Sequence, residues 1–131
     1  MKAGLVAAAV SGAPSTAYAV VAGRDPFEAT KAAGTLLVGE RAPTWAQIVA
    51  AVPVHLALSL GWAAVLERAL PRERRVLWGA AGGLAIAALD LGVVGRRFGA
   101  IRALPLVPQV EDHVLFGAVV GAVSDRGRSG S

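Results

Sequence analysis

Three titratable side chains stand inside apolar stretches of this chain: His55, Asp90 and His113. An ionised aspartate near the centre of a membrane helix costs about 2.5–3.5 kcal/mol on insertion scales, so such a carboxylate has either a partner or a task. The task would be to bind a proton or a cation. The structural alternative for Asp90 is an acid satisfied close to a helix end, because it stands five residues before Gly95, roughly 7 Å deep at 1.5 Å per residue. Two imidazoles and a carboxylate also make a common metal-ligand set. No two of these three residues have the spacing of a known metal motif, and the chain has no cysteine. The sequence therefore predicts no metal, no cofactor and no thiol chemistry. It also lacks a G-x-S-x-G elbow and a phosphate-cradling glycine loop, so no catalytic residue is assigned.

Helical phase says where these groups point. At 100° per residue, Gly4, Ser11, Ser15 and Tyr18 share one stripe of a first helix, and His55, Ser59 and Trp62 one stripe of a second. Gly79, Gly83, Ile86 and Asp90 share a stripe of a third, and His113, Gly117 and Val120 of a fourth. The rest of each surface is Ala, Val, Leu or Ile. Lipid accepts that surface and penalises the stripes, so the four stripes are expected to face one another. Gly79-x-x-x-Gly83 and Gly117-x-x-x-Gly121 are small-xxx-small pairs, and packing alone accounts for them in a chain with sixteen glycines. Asp90, Gln109, Glu111, Asp112 and His113 fall in the same half of the bundle as Ser15, Thr16 and Tyr18, with His55 near mid-depth. This pattern predicts a polar pocket formed by Ser15, Tyr18, His55, Ser59, Asp90, Asp112 and His113, in which Asp90 reaches His113 or its neighbours. Arg96, Arg97 and Arg102 are expected at its mouth, where they could pair with the acids or attract an anion. Glu111 and Asp112 also have a plainer use, because acids in the first turn of a helix complement its dipole.

The elements that must hold these stripes are legible as blocks. Residues 3–22 carry no charge, 45–66 none except a protonated His55, and 76–95 only Asp90. Each block has the roughly twenty residues that an α-helix needs to cross about 30 Å of hydrocarbon. A shorter block, 108–123, confines its charges to its first turns. The chain is 55% hydrophobic, above the roughly 45–50% of a soluble domain, and the excess lies in these blocks. The reading is an all-α integral membrane four-helix bundle, with one transmembrane domain over 1–123 and spans near 3–22, 45–66, 76–95 and 108–123. Residues 124–131 form a polar Gly/Ser/Arg tail, expected to be disordered. Between the first two spans, Asp25-Pro26-Phe27-Glu28 reads as a helix start, with Asp25 as cap, Pro26 at the first position and Glu28 completing a capping box. That segment, to about Val38, predicts a short helix lying at the membrane interface. Thr44 is expected to cap the second span, with Gln47 three residues on, and Pro53 to kink it. A cleaved signal peptide ending at Ala17-Tyr18-Ala19 is a rival reading of the N-terminus. An uncleaved helix fits better, since the apolar run continues through Ala22 and is interrupted by Ser11, Pro14, Ser15 and Thr16.

A formal charge of +4 would suggest nucleic acid in a soluble protein. Here the basic residues flank the apolar blocks, where arginine meets lipid headgroups, so the partner read from charge is the lipid bilayer and no nucleic acid is expected. Four spans put both termini on one side with seven basic residues, against six on the other. With the dense basic 72–75 loop, this favours cytoplasmic termini. The bias to Ala, Gly, Val and Arg suggests a GC-rich bacterial source and hence the bacterial plasma membrane.

Val54-His55-x-x-x-Ser59 and Asp112-His113-x-x-Phe116-Gly117-x-x-x-Gly121 resemble the YagU-like small bacterial inner-membrane proteins. The 11–16 motif and Asp25-Pro26-x-Glu28-Ala29 are similar to a set of actinobacterial four-span membrane proteins. This resemblance implies a four-span topology and no particular activity. Three functions stay open on the sequence. The favoured one is an accessory or assembly subunit, as a homo-oligomer or within a larger membrane complex. The alternative is a proton or small-solute permeation element around Asp90 and His113. The third is a membrane enzyme using His55, Asp90 or His113 in acid–base work.

Overall fold

A computed structural model describes the backbone of residues 1–129 and the side chains of residues 1–124. Every regular element among the described residues is helical. The first apolar block is two helices, α1 (Lys2–Val10) and α2 (Ala13–Val21), separated at Ser11 and Gly12. The break follows from Pro14, which has no N–H to return to the Val10 carbonyl. Next come α3 (Glu28–Val38), α4 (Thr44–Ala69), α5 (Arg75–Leu89), α6 (Gly99–Arg102) and α7 (Leu106–Ser129). A π-helical turn, Asp90–Val94, and a 3₁₀ turn, Gly95–Arg97, extend α5.

Four segments are long and apolar enough to cross a membrane: Lys2–Val21, Thr44–Ala69, Arg75–Arg97 and Leu106–Ser124. They coincide with the four expected spans. The last helix runs to Ser129 rather than stopping at residue 123. Most of the tail expected to be disordered therefore continues α7, and Gly130 and Ser131 lie outside the described residues.

The end signals behave differently from the sequence expectation. Neither α3 nor α4 has a side-chain cap hydrogen bond. Asp25 Oδ1 instead accepts from the Phe27 N–H at 2.8 Å, which turns the chain before α3 begins. Glu28 is taken by Arg24, whose Nε donates to both its carboxylate oxygens. At α4 the N-cap position is Pro43, and the Gln47 amide donates to the Glu40 and Ala42 carbonyls of the preceding loop. Pro53 lies within an unbroken α4. The short helix α3 packs along the start of α4, where a β-carbon at Gly34 would run into the Gln47 backbone.

Helix α7 is central, with α5, α1, α2 and α4 against it. Its contact with α5 is glycine on carbonyl. A β-carbon on Gly79 would strike the Gly117 carbonyl, one on Gly83 that of His113, one on Gly117 that of Gly79, and one on Gly121 that of Arg75. Beside this seam, Ala3, Ala7, Ala63, Leu66, Ile86, Phe116 and Val120 form a small-residue core. Large apolar side chains such as Leu5, Val20, Val49, Leu58, Leu77, Leu84 and Val93 are exposed around the outside. That surface is apolar on all sides, as lipid-facing helices require and water-facing ones avoid.

Candidate functional site

The glycine row of α5 sets the position of Asp90. Gly79, Gly83 and Ile86 are buried on one stripe, and the next residue along it is Asp90. There the helix widens into a π turn, closed by the Gly95 N–H donating to the Asp90 carbonyl. Turns of this kind recur at functional sites, because one inserted residue re-aims its neighbours.

Three spans meet at the Asp90 carboxylate. Trp62 Nε1–H of α4 donates to Oδ2 at 3.1 Å. His113 Nε2 of α7 lies 3.5 Å from the same oxygen. Both side chains of the Asp90–His113 pair are about three-quarters buried, at 23% and 22% exposure. His113 Nδ1 lies 2.7 Å from the Gln109 carbonyl, which can only accept, so Nδ1 carries a proton. A neutral ring then turns a lone pair toward Asp90. The contact becomes attractive once one more proton is present, on Nε2 or on the carboxyl. The pair is thus a place for one exchangeable proton.

A second carboxylate serves the break in the first span. Asp112 Oδ1 of α7 accepts from the Ser15 N–H at 2.9 Å. Ser15 lies in the first turn of α2, so Asp112 caps from another helix an N–H that the break leaves without an intrahelical partner. Ser15 Oγ–H donates to the Gly12 carbonyl at 3.3 Å on the other side of the same break.

The other expected pocket residues scatter. Ser59 is buried on the inner face of α4. His55 is exposed, and its Nε2 donates to the Ala8 carbonyl of α1 at 2.8 Å. It therefore staples α1 to α4 and does not join Asp90. Tyr18 is 44% exposed and points outward. Gly4, Ser11 and Ser15 of the expected stripe are buried, beside a row Ala3, Ala7, Ser11, Ser15 and Ala19 that advances by four, and Tyr18 lies off that ridge. Arg96, Arg97 and Arg102 are all exposed, and Arg102 Nη1 donates to the Arg96 carbonyl at 3.5 Å. None of them reaches an acid of the cluster.

Two hollows lie away from these residues. One, of about 270 Å³, lies beside α3 and is lined by Arg24, Glu28, Lys31, Thr35, Glu40 and Gln47 among others. The other, of about 290 Å³, lies at the opposite end of the bundle, among Lys2, Glu67, Arg75 and Ser124. Neither is lined by Asp90 or His113. Just outside the first span, Lys31 Nζ pairs with Asp25. With the Phe27 N–H it holds the Asp25 carboxyl below the ordinary carboxylate range. Among the described residues no three His, Asp or Glu side chains converge as a metal ion would need.

Sequence reasoning missed Trp62 as a partner of Asp90, although it had placed Trp62 on the inward stripe of α4. It also missed Arg75, which is 3% exposed; a basic loop residue gives no sign of burial. No protein-family model, curated protein or solved structure matches the chain.

Proposed function

We propose that this chain is a non-catalytic accessory or assembly subunit of a larger complex in a bacterial plasma membrane. Its four long helices cross the bilayer, in the manner of the YagU-like proteins it resembles, and the basic residues put the termini and the 72–75 loop on the cytoplasmic side. The observation that carries this reading is the exposed imidazole of His55, near the middle of α4. Lipid penalises an imidazole at that depth. Val52 and Leu58 flank it, and on a different side of α4 the outer stripe is small: Pro53 and Ala57 are exposed, and nothing lies within 4 Å of the β-position of Gly61. An exposed imidazole and a separate stripe of small residues both suit another helix better than lipid. Photo-crosslinkers at Ala57 and at Leu84, on the outer surface of α5, test this. The expected result is a single stoichiometric protein adduct from position 57 and only lipid adducts from position 84. Lipid adducts alone from both positions would sink the assembly reading.

A second reading has its own support, the one-proton count at Asp90 and His113. In it the chain takes up and releases a proton at this pair as part of a permeation step. Glycine-on-carbonyl packing fills the α5–α7 seam, so a path through one protomer would need the π turn at Asp90 to open. Proton flux in proteoliposomes decides it. Flux abolished by Asp90→Asn in a folded protein supports the step, and no flux in the wild type removes it.

A further inference from the structure

The hollow at the other end of the bundle from Asp90 contains a charge with unused donor capacity. Arg75 opens α5 and is 3% exposed, although it belongs to a loop of otherwise exposed arginines. Its burial is imposed by the backbone. A β-carbon on Gly121 would strike the Arg75 carbonyl, so α5 and α7 meet at this residue, and Val123 and Ser124 line the same hollow as Arg75. Among the described residues, its Nη2–H donates to the Glu67 carbonyl at 3.3 Å. Nε has no hydrogen-bond partner, the one buried side-chain polar atom so placed among the described residues. A buried guanidinium N–H without an acceptor is costly, and an oxyanion seated in the hollow would relieve that cost.

We infer that this hollow is a binding site for a phosphate group. The planar guanidinium offers parallel N–H donors, a geometry that matches two oxygens of a phosphate. Lys2 lines the same hollow and adds positive charge, and Ser124 Oγ–H, now 3.5 Å from Glu67 Oε1, can turn to a second oxygen. Glu67 lines the hollow too. Its Oε2 lies 3.8 Å from the Met1 ammonium, a further cation at the hollow. A volume near 290 Å³ accepts a phosphate with part of what it is attached to. The site lies where the apolar length of the helices ends, so the phosphate can belong to a lipid headgroup or arrive free in solution. This inference is independent of the accessory-subunit reading, because no residue near His55 takes part.

The full-length protein in nanodiscs tests it with two probes. One arm compares phosphatidylglycerol with phosphatidylcholine bilayers, counting the lipids retained in native mass spectrometry. The other adds inorganic phosphate to the phosphatidylcholine discs and follows thermal unfolding. Arg75→Lys keeps the charge and removes the planar fork, and is expected to weaken binding about tenfold, the loss of one charge-assisted hydrogen bond. Ser124→Ala is expected to weaken it less, and it keeps the test valid if Arg75→Lys does not fold. Arg72→Gln, in the exposed loop, is the control and is expected to change neither readout. A retained phosphatidylglycerol that is lost in Arg75→Lys identifies a headgroup site. A thermal shift with inorganic phosphate alone identifies a soluble ligand. Equal behaviour of wild type, Arg75→Lys and Ser124→Ala in both arms overturns the inference, because the effect would then be diffuse surface charge.

Discussion

Helix α5 has two neighbours and meets them in opposite ways. Against α7 the closest contacts are backbone on backbone, with Ile86 packed beside Phe116 and Val120 and Asp90 near His113 at the end. Gly79 and Gly83 lie on the carbonyls of Gly117 and His113, and Gly117 and Gly121 return the contact. Against α4 the backbones seldom approach, and the gap is bridged by side chains, Leu66 over Gly82 and Trp62 onto Asp90. Close van der Waals fit and polar contacts are the two ways in which helices as apolar as these can associate. The first seam is sensitive to added volume and indifferent to polarity. The second tolerates volume and depends on one carboxylate. A helix held rigidly on one side and by a polar latch on the other moves, if it moves, at the latch.

The largest effect is therefore expected from volume in the α5–α7 seam. Gly79→Val or Gly117→Val drives a side chain into backbone, which cannot step aside as a flexible side chain would. Overpacking costs about 1–3 kcal/mol and more where nothing can yield, so both variants are expected at or beyond the upper end. Gly61→Ala is the matched comparison. Its β-carbon meets nothing within 4 Å, and stability should hold or rise. Thermal unfolding in detergent checks the pair, and equal losses at positions 61 and 79 would mean that the seam is not as close as described.

Next comes the latch. Asp90→Leu leaves the Trp62 N–H without its acceptor, a loss of about 1–3 kcal/mol. Asp90→Asn keeps an acceptor for Trp62 and should lose less. Combining Asp90→Leu with Trp62→Phe should cost less than the sum, by about 0.5–3 kcal/mol, because the two residues share one contact. Additivity would show that Trp62 and Asp90 do not depend on each other.

These two seams also show what the sequence could tell. Block length placed all four long helices, because twenty uncharged residues have few other uses. The α5 row was legible because Gly79, Gly83, Ile86 and Asp90 keep one phase in an unbroken helix. The same reasoning failed for Tyr18, where the packed row advances by four at every step and a mixed step of three was assumed. Phase also misjudges His55, which is exposed on α4 and reaches the Ala8 carbonyl of α1 instead of Asp90. The π turn at Asp90 has no signature in residue type. The capping boxes failed for a physical reason: Glu28 had a better partner in Arg24, and Gln47 in the free carbonyls of the loop before it.

A smaller effect is expected at the break in the first span. Asp112→Ala removes the acceptor of the Ser15 N–H, and loss of a helix cap costs about 1 kcal/mol. Asp112→Asn should recover most of it, since the amide oxygen still accepts. Hydrogen exchange at Ser15 reads this directly. Protection unchanged in Asp112→Ala would mean that the break is satisfied by some other group.

The smallest effect lies outside both seams, where α2 gives way to α3. Asp25 is exposed, and Lys31 and the Phe27 N–H together hold its carboxyl below the ordinary value near 3.8. A carboxyl depressed in the folded state contributes stability that is present above its unfolded pKa and disappears as the pH falls through its folded pKa. The contribution should therefore be constant from neutral pH down to about pH 5, a unit above that ordinary value, and fade only below it. Asp25→Asn should unfold at a slightly lower temperature than wild type at pH 7, and the two should converge in acid as the wild-type carboxyl takes up its proton. The Asx turn survives in the variant, because the amide oxygen can still accept from Phe27, so the difference isolates the Lys31 pair. Salt should shrink it at neutral pH, as it does for any exposed ion pair. A gap between wild type and variant that persists unchanged below pH 3 would show that Asp25 acts through its shape rather than its charge.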